Sequence, residues 1–283
     1  MRKLLTFLAS IAVLSFTACS STAPQVANDP YNGKEVATYL IGAEMSVADA
    51  KAKLTTAGFE VVAEYEPVKK GTTIVFTNEA LKAEAAKPGR GYAAVLRLFV
   101  DKQEKMISIT NPVYFGKAFM QADYNFEVYA AQLASLNAAF PGLTESADKY
   151  AYNELAGYHF MVGMPYFEEP DVLGTASATT AEAVAKAKAY KKGKEIIFEL
   201  KLSDNSTLLG YELGKRTKKF VNKIGRQNAA ILPWVISIEN GQAKALNAKY
   251  YIAISYPLLD MGGFMGIATV PGAITKDLEK AFK

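Results

Sequence analysis

The chain has 283 residues, of which 50% are hydrophobic, 21% charged and 11% aromatic, with a formal net charge of +4. That make-up supplies a sizeable core and excludes a disordered polymer, while 20 Gly and 11 Pro exclude collagen-like and low-complexity chains. One Cys and one His exclude an internal disulfide, a multi-cysteine metal cluster and a histidine-rich centre, and a nearly neutral chain has no global nucleic-acid footprint.

At the N-terminus Arg2 and Lys3 precede an apolar run from Leu4 to Phe16, shorter than the roughly 20 residues that span a bilayer and matched to a signal-peptide core. The run ends in Phe16-Thr17-Ala18-Cys19, which resembles the bacterial lipobox. The resemblance implies a lipoprotein signal peptide over 1–18 and lipidation at Cys19, with a membrane partner reached through that lipid. Ser20 rather than Asp after the cysteine implies the outer membrane, facing the periplasm, in a Gram-negative cell, and otherwise a cell-membrane lipoprotein. Residues 19–36, rich in Ser, Pro, Asn and Gly, read as a flexible linker.

Further along, Thr38–Ile41 predicts a strand, and Ser46 caps an Ala/Lys-rich helix closed by Gly58. Strands follow at Phe59–Tyr65 and Thr73–Phe76, then a helix over Glu79–Lys87. A hairpin of Ala93–Val100 with Met106–Thr110 and a helix over Asn125–Phe140 complete this stretch. The same grammar returns later. Thr180 caps a helix to Tyr190, strands fall at Glu195–Leu202 and Thr207–Tyr211, and a helix covers Lys215–Ile224. Ala230–Ile238 and Ala243–Leu246 form a hairpin whose Asn240-Gly241 is the pair a type I′ turn demands, before a last helix over Gly272–Phe282.

The repetition extends to residues. Gly89-Arg90-Gly91-Tyr92-Ala93-Ala94-Val95-Leu96 matches Gly225-Arg226-Gln227-Asn228-Ala229-Ala230-Ile231-Leu232, and the same offset carries Asn111, Tyr114 and Phe115 onto Asn247, Tyr250 and Tyr251. The expected fold is therefore α+β: a tandem duplication of a mostly antiparallel sheet with helices packed on one face, forming a pseudo-twofold, dimer-like body. The repeats fall at 37–142 and 172–283, with a connector over 143–171. In this order of elements, and in Ala230-Ile231-Leu232-Pro233 before a hairpin, the chain resembles the bacterial domain-of-unknown-function 302 family. The resemblance implies a fold and a fused version of a homodimer and carries no established activity; Trp234 and Leu98 stand where the family often has a Cys.

Arg90 and Arg226, at equivalent positions beside Gly, are candidates for clamping a carboxylate or phosphate, because a guanidinium fork bonds such groups bidentately; neutralising a helix C-terminus is the alternative. Tyr92, Tyr114, Tyr250 and Trp234 are candidate lining for a half-wet groove. Lys215, Arg216, Lys218, Lys219 and Lys223 make a one-sign segment suited to an anionic envelope component or a protein partner, or a solvated face. His159 and Met161 would share a face of a strand as soft metal ligands, but two ligands do not make a site and core packing is the plainer role. Ser146-Ala147-Asp148-Lys149 and Ser203-Asp204-Asn205 spell fragments of penicillin-recognising enzymes without the Lys-Thr-Gly that completes them. The expectation is a non-catalytic, lipid-anchored periplasmic binding protein, without cofactor, holding a small or apolar ligand between or within its repeats. The alternative is an envelope protein that docks a protein or anionic polymer through its basic helix.

Overall fold

The computed structural model describes residues 29–283, so the leader and Cys19 lie outside the described residues. The first half runs β1 (Glu35–Ala37), β2 (Tyr39–Ala43), α1 (Val47–Thr56), β3 (Glu60–Val68), β4 (Gly71–Thr77), α2 (Glu79–Ala85), β5 (Leu96–Asp101), β6 (Met106–Thr110), α3 (Pro112–Met120) and α4 (Phe126–Ala139). Two short strands follow, β7 (Thr144–Glu145) and β8 (Lys149–Ala151). The second half runs β9 (Asp171–Val172), α5 (Thr180–Ala189), β10 (Ile196–Ser203), β11 (Ser206–Tyr211), α6 (Val221–Ile224), β12 (Trp234–Glu239), β13 (Gln242–Ala245), α7 (Ala248–Ser255), α8 (Met261–Met265) and α9 (Val270–Glu279). The class is α+β with antiparallel sheets. Among the described residues no helix is long and apolar enough to cross a membrane.

Local chemistry explains the ends of these elements. The Ser46 hydroxyl accepts from the Asp49 N–H, and Asn78 accepts from the Leu81 N–H, so α1 and α2 start on side-chain caps. Asn240 and Gly241 take φ of 49° and 80°, the backbone a two-residue hairpin requires. Helix α5 is capped by Thr179 rather than Thr180, one residue before the expected start. The expected helix over Lys215–Ile224 is broken into a 3₁₀ turn, Thr217–Phe220, and the single turn of α6. Lys215, Lys219 and Lys223 stand at i, i+4 spacing, where like charges oppose a continuous helix. The segments expected to open each hairpin, from Ala93 and Ala230, instead form 3₁₀ helices at Gly91–Ala94 and Arg226–Ile231, consistent with the poor strand propensity of paired alanines.

The sheets run β3-β4-β5-β6-β2-β7 and β10-β11-β12-β13-β9. Leaving out β7, the strands of one correspond in order to those of the other. Helix α1 lies on β3 and β4 and touches α4, while β5 and β6 receive the 3₁₀ helix Arg226–Ile231 from the second half. Reciprocally, the 3₁₀ helix Gly91–Ala94 packs on β11 and β12. The approach is close at Gly91, where a Cβ would stand 2.9 Å from the Ser237 hydroxyl.

Helices α3 and α7 are joined by a reciprocal pair of side-chain bonds. Asn111 caps α3 with Pro112 in its first turn, and Asn247 caps α7. The Tyr114 hydroxyl donates to the Ile254 carbonyl at 2.9 Å, and the Tyr250 hydroxyl donates to the Ala118 carbonyl at 3.3 Å. Each tyrosine thereby satisfies a last-turn carbonyl that the other helix leaves without an intrahelical partner. Tyr250 and Ile254 stand in the same register to Tyr114 and Ala118 that the sequence match predicts, so the two bonds mirror one another.

Candidate functional site

The two paired arginines are occupied by the chain's own carboxylates. Arg226 donates from Nε to Asp101 Oδ2 at 2.7 Å and from Nη2 to Asp101 Oδ1 at 2.9 Å, with a further bond to the Lys69 carbonyl at 2.8 Å. Asp101, at the end of β5, is fully buried. Arg90 donates to Asp123 at 2.8 Å and to Glu168 at 3.0 Å, with its guanidinium over the Phe167 ring. The fork chemistry read from the sequence is present, and its ligands are Asp and Glu side chains of this chain.

Tyr114, Tyr250 and Trp234 are wholly inside the core, with Trp234 edge-on to Tyr251 at 4.8 Å. Burial pushes the Tyr114 and Tyr250 hydroxyls well up, so both stay protonated donors. Tyr92 borders a cleft between the halves of about 110 Å³, shared with Phe167, Ser237, Glu239 and Lys244. That is well below the roughly 300 Å³ at which small-molecule pockets begin. A larger groove, about 560 Å³, runs between α1 and α4 over Ala52, Thr56, Ser135 and Ala138, away from every candidate lining residue. The connector from Gly157 to Tyr166 forms turns rather than a strand, so the two-residue alternation invoked for His159 and Met161 does not apply. His159 packs tilted against Tyr166, their ring centroids 4.5 Å apart. Among the described residues no group of three or more His, Cys, Asp or Glu is arranged to hold a metal ion.

The basic segment stands differently. Lys215, Arg216, Lys219 and Lys223 are exposed and make no ion pair among the described residues. Lys218 is the exception: it pairs with Glu212 at 2.7 Å and lies over the Tyr65 ring. Through the Lys218 and Arg226 contacts the segment rests against the far end of the first sheet. There the β3–β4 turn presents Lys69 and Lys70, and the adjoining β5–β6 turn presents Lys102 and Lys105. The two turns are joined by the Lys102 N–H donating to the Lys70 carbonyl at 3.0 Å. All four lysines are exposed and lack ion pairs among the described residues, with Glu66 and Glu104 as the neighbouring exposed carboxylates. By contrast, Lys82, Lys87 and Arg90 of the corresponding first-half segment are each ion-paired. Sequence reading missed the lysines of the turns because they lie far from the basic segment along the chain. Only the fold sets the two lysine-bearing turns side by side and brings them against the basic segment through Lys218 and Arg226.

No protein-family model, no curated protein and no solved structure matches the chain.

Proposed function

We propose that this chain is a lipid-tethered, non-catalytic envelope protein whose body docks an anionic polymer through the basic face built from the β3–β4 turn, the β5–β6 turn and residues 215–223. The observation that carries this reading is the convergence of unpaired cations from three segments. Cations already held by carboxylates would add little to binding, whereas free ones steer and retain a polyanion in a salt-dependent manner. The body is read as two copies of one α+β unit. The matching strand orders and the mirrored Tyr114 and Tyr250 bonds support it. On this reading the first copy kept the cations of its 79–90 segment paired, while the second left most of those in 215–223 free.

Dextran sulfate is a suitable probe. Lys69→Glu combined with Lys219→Glu should weaken binding roughly tenfold, and raising salt from about 0.05 to 0.5 M should release the wild-type protein. A control reversal at Lys186 should change neither. Retention that survives high salt, or that falls equally in the control, overturns the basic-face reading. For the tether, Cys19→Ser should move the protein from the membrane to the soluble fraction; an unchanged distribution overturns lipid anchoring.

A further inference from the structure

Arg97 is a charge enclosed between the two halves without a carboxylate beside it. It lies on β5 two and four residues from Phe99 and Asp101, hence on the same face of the strand, and Asp101 there meets Arg226 of the second half. Arg97 is 3% exposed, its Nε and Nη2 have no hydrogen-bond partner, and it makes no ion pair among the described residues. A guanidinium carries a positive charge, offers five N–H donors and has no acceptor. A buried charge left uncompensated is among the costliest features a fold can carry.

The surroundings are rich in donors. Tyr251 of the second half interacts with the guanidinium and spends its own hydroxyl proton on the Ile231 carbonyl at 3.4 Å; burial pushes that hydroxyl up against the pull of Arg97. Trp234, edge-on to Tyr251, has a buried indole N–H with no partner, and an indole can only donate. Ser108, which faces Phe99 across the hairpin and so lies diagonal to Arg97, has a buried hydroxyl with no partner. Arg97, Ser108, Trp234 and Tyr251 are all buried, so any counter-ion here is shielded from bulk water.

We infer that Arg97 holds a small monovalent anion of chloride size between the halves, with the Trp234 N–H and the Ser108 hydroxyl as further donors. The ion would supply the missing counter-charge and tie β5 of one half to α7 and β12 of the other. This site is separate from the basic face and does not depend on it.

The test compares the full chain in sodium chloride and sodium gluconate at equal ionic strength. Chloride should raise the unfolding midpoint in a saturable way, by roughly 5 °C, and Arg97→Met should abolish the difference. Where Arg97→Met does not fold, Arg97→Lys retains the charge without the fork and should shift half-saturation at least tenfold upward. Crystals grown in bromide should show an anomalous peak at the guanidinium. Equal midpoints in the two salts, an undiminished chloride response in both Arg97 variants, or no bromide peak would overturn the inference.

Discussion

Replacing Arg226 by Met removes the guanidinium while keeping an apolar stem of similar length, and so isolates the bond between the halves at Asp101. In the native protein Asp101 accepts two bonds from Arg226 and two from its own turn, from the Gln103 N–H at 2.9 Å and the Glu104 N–H at 3.3 Å. With Arg226 gone the turn bonds survive, but a buried carboxylate loses its counter-charge. Breaking a buried pair costs about 3–5 kcal/mol, and the retained turn bonds place this case near the lower end. For a body of this size about 3 kcal/mol corresponds to a fall of roughly 6–12 °C in the unfolding midpoint. Differential scanning calorimetry measures this directly, with Lys201→Ala, which removes the exposed pair to Asp204, as the comparison. Asp101→Asn in the Arg226→Met background should recover part of the loss, because the stranded charge is gone. A midpoint in Arg226→Met no lower than in Lys201→Ala, or no recovery in the double variant, would refute the argument that this pair is buried and joins the halves.

Tyr114→Phe and Tyr250→Phe should each destabilise the fold by about 1 kcal/mol, and by matching amounts, in urea unfolding. A tenfold disparity between their equilibrium constants would count against mirrored roles. Gly116→Ala, favourable in an ordinary helix, should here cost about 1–3 kcal/mol, since the new Cβ would stand 2.4 Å from the buried Tyr129 ring; a rise in stability would show that α3 and α4 pack more loosely. Burial pushes the Asp277 carboxyl up, but the Lys280 ammonium, the Thr217 hydroxyl and the Gly214 N–H outweigh it and hold the group below its ordinary value. Its contribution is therefore complete above the unfolded carboxylate range and lost as pH falls through the lowered folded value. Asp277→Asn should flatten the acid limb of the urea midpoint below the unfolded carboxylate range, and an unchanged slope would contradict the assignment.

The elements legible in the sequence are those whose signal is local. The Asn240-Gly241 turn, the Ser46 cap and the alternation in the hairpin strands need only neighbouring residues. Helices α3 and α7 were not legible as helices because both are buried on nearly every side, which erases the period that marks a half-exposed helix. Asn111-Pro112, a cap followed by proline, was the available clue. The site was harder. Arg90 and Arg226 were recognisable as carboxylate binders, but Asp101 and Glu168 lie far along the chain, and nothing in the local pattern says that the carboxylate is internal. Tyr114 and Tyr250 resembled groove lining because a tyrosine's polar tip serves equally well to complete another helix's carbonyls. The basic face was half visible: residues 215–223 by composition, Lys69, Lys70, Lys102 and Lys105 only once two β-turns are set beside them.

The mirrored tyrosine bonds bear on what happens if the backbone is severed. Val162, 96% exposed in the connector, is an open target for a protease. A nick there would leave two fragments still clasped by Tyr114, Tyr250 and the Arg226–Asp101 bridge, because none of these contacts relies on the peptide bond that was cut. Continuity of the chain between the halves then serves mainly to keep them at high local concentration, as a short leash would, while the clasp itself is carried by side chains.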